Sequence, residues 1–72
     1  MNTRELLREC FKTKKGDLKL AEIYVFALEN KDRWNKFDSD YKHKIRTLIH
    51  DSQRRGQIQR VGRAAYRKVK DF

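Results

Sequence analysis

Residues 41–56 read YKHKIRTLIHDSQRRG, and residues 57–69 continue QIQRVGRAAYRKV. In the first run Tyr41, Ile45, Leu48, Ile49 and Ser52 recur at helical spacing, which predicts one buried stripe on an otherwise polar helix. Ser39 or Asp38 is placed to cap that helix and Gly56 to stop it, so its span is about 39–55. In the second run two short segments flank Gly62-Arg63, which predicts a hairpin over about 57–69. Glycine at the first central position suits a two-residue type II′ turn with Arg63 at the tip of the loop. Pairing Val61 with Ala64 sends Ile58, Ala65 and Val69 to one face but Val61 and Tyr66 to the other. Neither face is then cleanly apolar, which leaves a bulge open and the register uncommitted.

Two further helices precede this pair. Asn2 followed by Glu5 fits a capping box, and Leu6, Leu7, Cys10 and Phe11 give a helix over about 3–14, ended by Gly16. Leu20, Ile23, Tyr24, Ala27 and Leu28 form a second stripe over about 20–30. Val25 and Phe26 would also permit a short strand there, but the flanking Ala, Glu and Leu favour helix. No repeat or Gly/Ser/Pro linker divides the chain, so residues 1–72 are read as a single domain.

Composition narrows the function. A chain of 72 residues buries only roughly 60 to 65% of its unfolded surface, enough for one thin core and little room for a deep substrate cavity. A multidomain enzyme is excluded, and no small-molecule substrate is expected. The formal charge of +9 points to a polyanion, because clustered Lys and Arg release counterions condensed on phosphates. The excess is +3 over residues 1–36 (nine basic, six acidic) and +6 over residues 37–72 (ten basic, four acidic), which assigns the binding face to the second half. An anionic membrane is the competing partner; no window approaches 18 apolar residues and no signal-peptide core opens the chain, so no membrane association is expected. Cys10 is the single cysteine and cannot form an intramolecular disulfide. With no signal-peptide core, the expected location is the cytoplasm.

Three helices followed by a basic hairpin is the element order of a winged helix-turn-helix, an α+β and mainly α fold. Lys44-Ile45-Arg46, Leu48, Arg55-Gly56, Ile58 and Val61-Gly62-Arg63, ending at Tyr66-Arg67, resemble the C-terminal winged-helix domain of Dam-replacing, methyl-directed restriction endonucleases. In those enzymes a similar Ile-Arg helix precedes a Gly-Arg hairpin ending in Tyr-Arg. The likeness runs from about Asp17 to Lys68 and does not include the nuclease half. This chain departs from the pattern at Ala64, where a second wing glycine would stand. The resemblance implies binding to duplex DNA.

The residues support the same partner independently. Opposite the apolar stripe of the third helix lie His43, Thr47, His50 and Arg54, with Asp40 and Arg46 on the flanks. A helix in the major groove reads bases mostly from its N-terminal half, so His43, Arg46, Thr47 and His50 are the base-reading candidates. Lys42, Lys44 and Arg54 on the helix, with Arg60, Arg63 and Arg67 on the hairpin, are the backbone candidates; Arg63 at a narrow tip could clamp a strand or enter a minor groove. Each has a bland counterpart. Lys42 and Lys44 fit an ordinary solvated face equally well, and Arg46 could pair with Asp38 or Asp51.

Other chemistry is disfavoured. His43 and His50 stand about 10.5 Å apart along one helix, too far to share an ion, so no metal or other cofactor is expected. Cys10 on an apolar face reads as a core thiol rather than a nucleophile. Trp34 and Phe37 read as anchors of the connection between the second and third helices. Asp17 with Glu29-Asn30-Lys31 loosely echoes the acid, acid-x-Lys spacing of metal-dependent nucleases, but Glu29 and Lys31 fall at the end of a helix, and no catalysis is expected. The leading expectation is a double-stranded DNA binder, either a small regulator of phage or mobile-element type or the recognition module of a nuclease, with homodimerisation left open. The alternatives are a small RNA-binding or ribonucleoprotein component, and a winged helix used for protein contact.

Overall fold

The computed structural model describes residues 1–14 and 16–71. The elements follow in the order α1 (Thr3–Thr13), β1 (Leu18–Lys19), α2 (Leu20–Glu29), α3 (Tyr41–Arg54), β2 (Ile58–Gly62) and β3 (Ala65–Lys68). The three strands form one antiparallel sheet in the order β1-β3-β2. The fold is α+β and mainly α, with a C-terminal hairpin, and it is compatible with the winged helix expected from the sequence.

Local chemistry sets each boundary. The Asn2 side chain accepts from the Glu5 amide at 2.8 Å, and the Glu5 carboxylate accepts from the Asn2 amide at 3.4 Å, so the capping box that starts α1 is complete. Gly16 follows with φ +89°. At the far end of α2 the Asn30 side-chain amide donates to the Phe26 carbonyl at 2.8 Å. Helix α3 starts at Tyr41 rather than at residue 39. Asp38 accepts from the Asp40 amide at 2.8 Å, holding residues 38–40 in an Asx-type turn that delays the helix. Gly56, at φ +74°, ends α3 in a Schellman arrangement: its amide donates to Gln53 at 3.0 Å and that of Gln57 to Ser52 at 2.9 Å.

Leu6, Leu7, Cys10 and Phe11 of α1 meet Ile23, Phe26 and Ala27 of α2 and Ile45, Ile49 and Ser52 of α3, with Leu18 and Ile58 closing the core from the sheet. The buried face of α3 is therefore the one its periodicity predicts. The stripe of α2 is rotated from expectation: Phe26 is buried and Leu28 is 44% exposed. At 100° per residue Phe26 lies about 60° from Ile23 and Leu28 about 140° away, so Phe26 is nearer the centre of the packed face. Trp34 and Phe37 anchor the connection as expected. Trp34 is 2% exposed, its indole N–H donates to the Thr3 hydroxyl at 3.2 Å, and its ring meets Phe37 edge-on.

Strand β1 is not among the elements that the sequence predicts. Leu18 pairs with Tyr66 and Lys19 with Ala65, and the Leu20 amide extends the ladder to the Ala64 carbonyl at 2.8 Å. In the hairpin Arg60 pairs with Tyr66 and Gly62 with Ala65, leaving Val61 as the extra residue of a bulge. The turn residues are accordingly Arg63 and Ala64, not Gly62 and Arg63, and the positive φ of +52° falls on Ala64. The bulge has a packing cause. It sets Ile58 and Tyr66 on the same face of the sheet, against the core, which direct pairing of Val61 with Ala64 could not do.

Candidate nucleic-acid interface

Because α3 buries Ile45, Ile49 and Ser52, its crest carries His43, Thr47, His50 and Arg54, all exposed. The two flanks of this crest face different neighbours. On one side, Arg46 and His50 meet Arg60 of β2 and Tyr66 of β3 across a cleft of about 330 Å³, floored by Leu20 and Ile49. On the other, His43, Thr47 and Lys44 border a wider cleft of about 550 Å³ that reaches Thr3 of α1. The crest thus separates a hairpin side from an α1 side.

On the hairpin side the cations are oriented by neutral groups. Arg46 donates from Nη1 to the Tyr24 hydroxyl at 3.1 Å and pairs with neither Asp38 nor Asp51. Lys42 lies 5.3 Å from the Tyr24 ring centre and 6.0 Å from that of Tyr41, in cation–π range of two rings that meet edge-on. Arg60 donates from Nε to the Gly62 carbonyl at 3.1 Å. Arg63, the first turn residue, is exposed and has no hydrogen-bond or ion-pair partner among the described residues.

On the α1 side charge is matched. Lys44 is half-buried, donates to the Lys36 carbonyl at 2.7 Å and forms an ion pair with Asp38. The hydrogen bond that Lys44 donates to Asp38, with that from the Asp40 amide, holds the Asp38 carboxyl below its usual range. Asp51 is bracketed by Arg55 at 3.0 Å and Arg4 at 3.9 Å. Lys44 is therefore committed to a carboxylate partner, whereas Lys42 meets only the two tyrosine rings among the described residues.

Arg67 is not brought to this surface. Strand alternation places Tyr66 and Arg60 toward α3 and Arg67 on the opposite face of the sheet. There its guanidinium holds Asp17 through two contacts, 2.8 and 3.2 Å, which pull the Asp17 carboxyl below its usual range. Asp17 is thus taken up by an ion pair, and Glu29 is the last residue of α2. Cys10 is fully buried, and burial pushes its thiol up to about 12.

Tyr24, Gln53 and Tyr66 belong to the hairpin-side surface but are not among the site candidates read from the sequence. Gln53 could have been found, since Arg46, His50 and Gln53 form an i, i+4, i+7 row on α3. Tyr24 gave no such signal, because its ring belongs to the apolar stripe of α2 and only its hydroxyl reaches Arg46. Among the described residues no helix is long and apolar enough to cross a membrane, and no group of three or more His, Cys, Asp or Glu could hold a metal ion. No protein-family model, curated protein or solved structure matches the chain.

Proposed function

We propose that the protein binds double-stranded DNA as a winged helix, with α3 in the major groove and the β2–β3 hairpin against the adjacent backbone. One observation carries the reading: the exposed face of α3 borders, through Arg46 and His50, the same cleft that Arg60 and Tyr66 of the hairpin line. His43, Thr47 and His50 are the groups offered to base edges, and Lys42, Arg54 and Arg63 those offered to phosphates. The +9 charge supplies the counterion-release term.

Duplex DNA is favoured over single-stranded RNA because Tyr66, the aromatic residue of the hairpin, is half-buried against the core instead of standing fully exposed on the sheet. A platform for splayed bases needs exposed rings.

A fluorescence anisotropy titration with a labelled duplex tests the reading. If about six phosphates are contacted, raising salt from about 50 to about 200 mM weakens binding on the order of a thousandfold. No duplex binding at low salt, or tighter binding to a single-stranded RNA of equal length, overturns it. Selection of bound duplexes from a random pool would then give the site, and a two-fold symmetric site would show that two copies act together.

A further inference from the structure

We propose that the cleft between α3 and the hairpin is an anion site that takes one backbone phosphate, clamped between the guanidiniums of Arg46 and Arg60. The inference deepens the DNA-binding reading and rests on it for the source of the phosphate.

Two arginines, Arg46 from α3 and Arg60 from β2, line a single cleft of about 330 Å³. Each is fixed by a neutral acceptor, the Tyr24 hydroxyl for Arg46 and the Gly62 carbonyl for Arg60. Other arginines of the chain are met by carboxylates: Arg33 by Glu9, Arg55 by Asp51 and Arg67 by Asp17. Arg46 and Arg60 have no carboxylate partner among the described residues, so the cleft that both line carries two uncompensated positive charges. An anion between them converts that repulsion into attraction. Orientation by neutral groups leaves the charge unspent and the remaining N–H groups free. Arg46 keeps Nε and Nη2, and Arg60 keeps both terminal nitrogens, in the planar fork that matches phosphate oxygens.

Position on the helix selects phosphate over base for Arg46. It stands about 80° round α3 from the midpoint between His43 and Thr47. A helix sunk in the major groove turns its crest to the base edges and its flanks to the phosphate walls. Tyr24, which holds Arg46 from α2, is then a positioning residue.

The test measures duplex affinity of wild type, R46Q, R60Q and R46Q/R60Q, on normal duplexes and on a series with single neutral methylphosphonates. Circular dichroism melts accompany each variant, and both positions are exposed, so the fold is expected to persist. Each single variant should bind about tenfold more weakly, with the double variant little worse than either because one phosphate is shared. One methylphosphonate position should weaken wild type and leave the double variant unaffected. A double variant that binds every duplex like wild type overturns the site while the DNA reading stands, and so does the absence of any such methylphosphonate position. Inorganic phosphate, compared with chloride at equal ionic strength, separates the other case. If it raises the melting temperature of wild type but not of the double variant while no duplex binds, the anion site stands and the DNA reading falls.

Discussion

The backbone amide of Leu20 donates to the carbonyl of Ala64 across 2.8 Å, joining the first turn of α2 to the tip of the β2–β3 hairpin. The hairpin tip is therefore held against the body of the fold rather than projecting freely. Ala64 makes this bond from the left-handed region, at φ +52°, a conformation that costs an L-residue with a Cβ roughly 1 to 2 kcal/mol.

Ala64→Gly should consequently stabilise the protein. Relief of the left-handed penalty is partly offset by the extra freedom glycine gains in the unfolded chain, leaving a net of about 0.5 to 1 kcal/mol. For a chain of this size that is a rise of several degrees in melting temperature, roughly 2 to 8 °C. Ala64→Val should move it the other way, since a β-branched side chain tolerates this region worse. A glycine variant melting at or below wild type would contradict the assigned turn.

The Asp17–Arg67 pair predicts a pH dependence of stability with a defined sign. The Arg67 hydrogen bond lowers the Asp17 carboxyl in the folded state, as Lys44 does for Asp38 and Lys68 for Asp71. A carboxyl lowered by folding contributes stability above its unfolded value of about 3.9 and loses it as pH falls through the folded value. Urea midpoints should therefore be flat from neutral pH down to about pH 5 and fall below about pH 4. Asp17→Asn should remove part of that acid decline. Because Arg67 lies on the sheet face away from α3, the same variant should leave duplex affinity within about twofold. An identical acid profile in the variant, or a large change in DNA binding, would show that the pair acts otherwise.

Cys10 offers a probe of the core. Its thiol is fully buried and pushed up to about 12, with burial outweighing the opposing pull of Lys14. At a given pH it carries on the order of a thousandfold less thiolate than an ordinary thiol. Labelling by a disulfide reagent near pH 8 should proceed only through opening of the fold, and its rate should climb with urea. Rapid stoichiometric labelling of the native protein would place the thiol at the surface.

Which parts of this arrangement the sequence could disclose follows from the range of the interactions. The burial of Ile45, Ile49 and Ser52 is written in a local period, and so is the crest of His43, Thr47, His50 and Arg54 that it leaves exposed. Strand β1 is only two residues long, too short to show alternation, and exists through pairing with Tyr66 and Ala65 far down the chain. The turn shifted by one residue because the Val61 bulge answers to packing of Ile58 and Tyr66 on the core, which no turn motif encodes. Arg67 and Arg63 look alike in sequence. Only the sheet's pleat and the position of Asp17 separate the paired residue on the far face from the unpaired one in the turn.

The last prediction concerns where specificity resides. His43 and Thr47 stand on the crest of α3, while Arg63 sits in the hairpin turn. A base contact discriminates between sequences, whereas a phosphate contact weakens all duplexes alike and lowers the salt slope by roughly one. His43→Ala and Thr47→Ala should each cost about 1 to 3 kcal/mol on a selected site and little on random duplex, with the salt slope unchanged. Arg63→Gln should weaken both duplexes equally and flatten the slope. If the two crest variants lose equally on both duplexes, α3 is not the reading element. If Arg63→Gln leaves the slope as it was, the hairpin tip does not touch the backbone, and the surface that meets DNA stops at the cleft between Arg46 and Arg60.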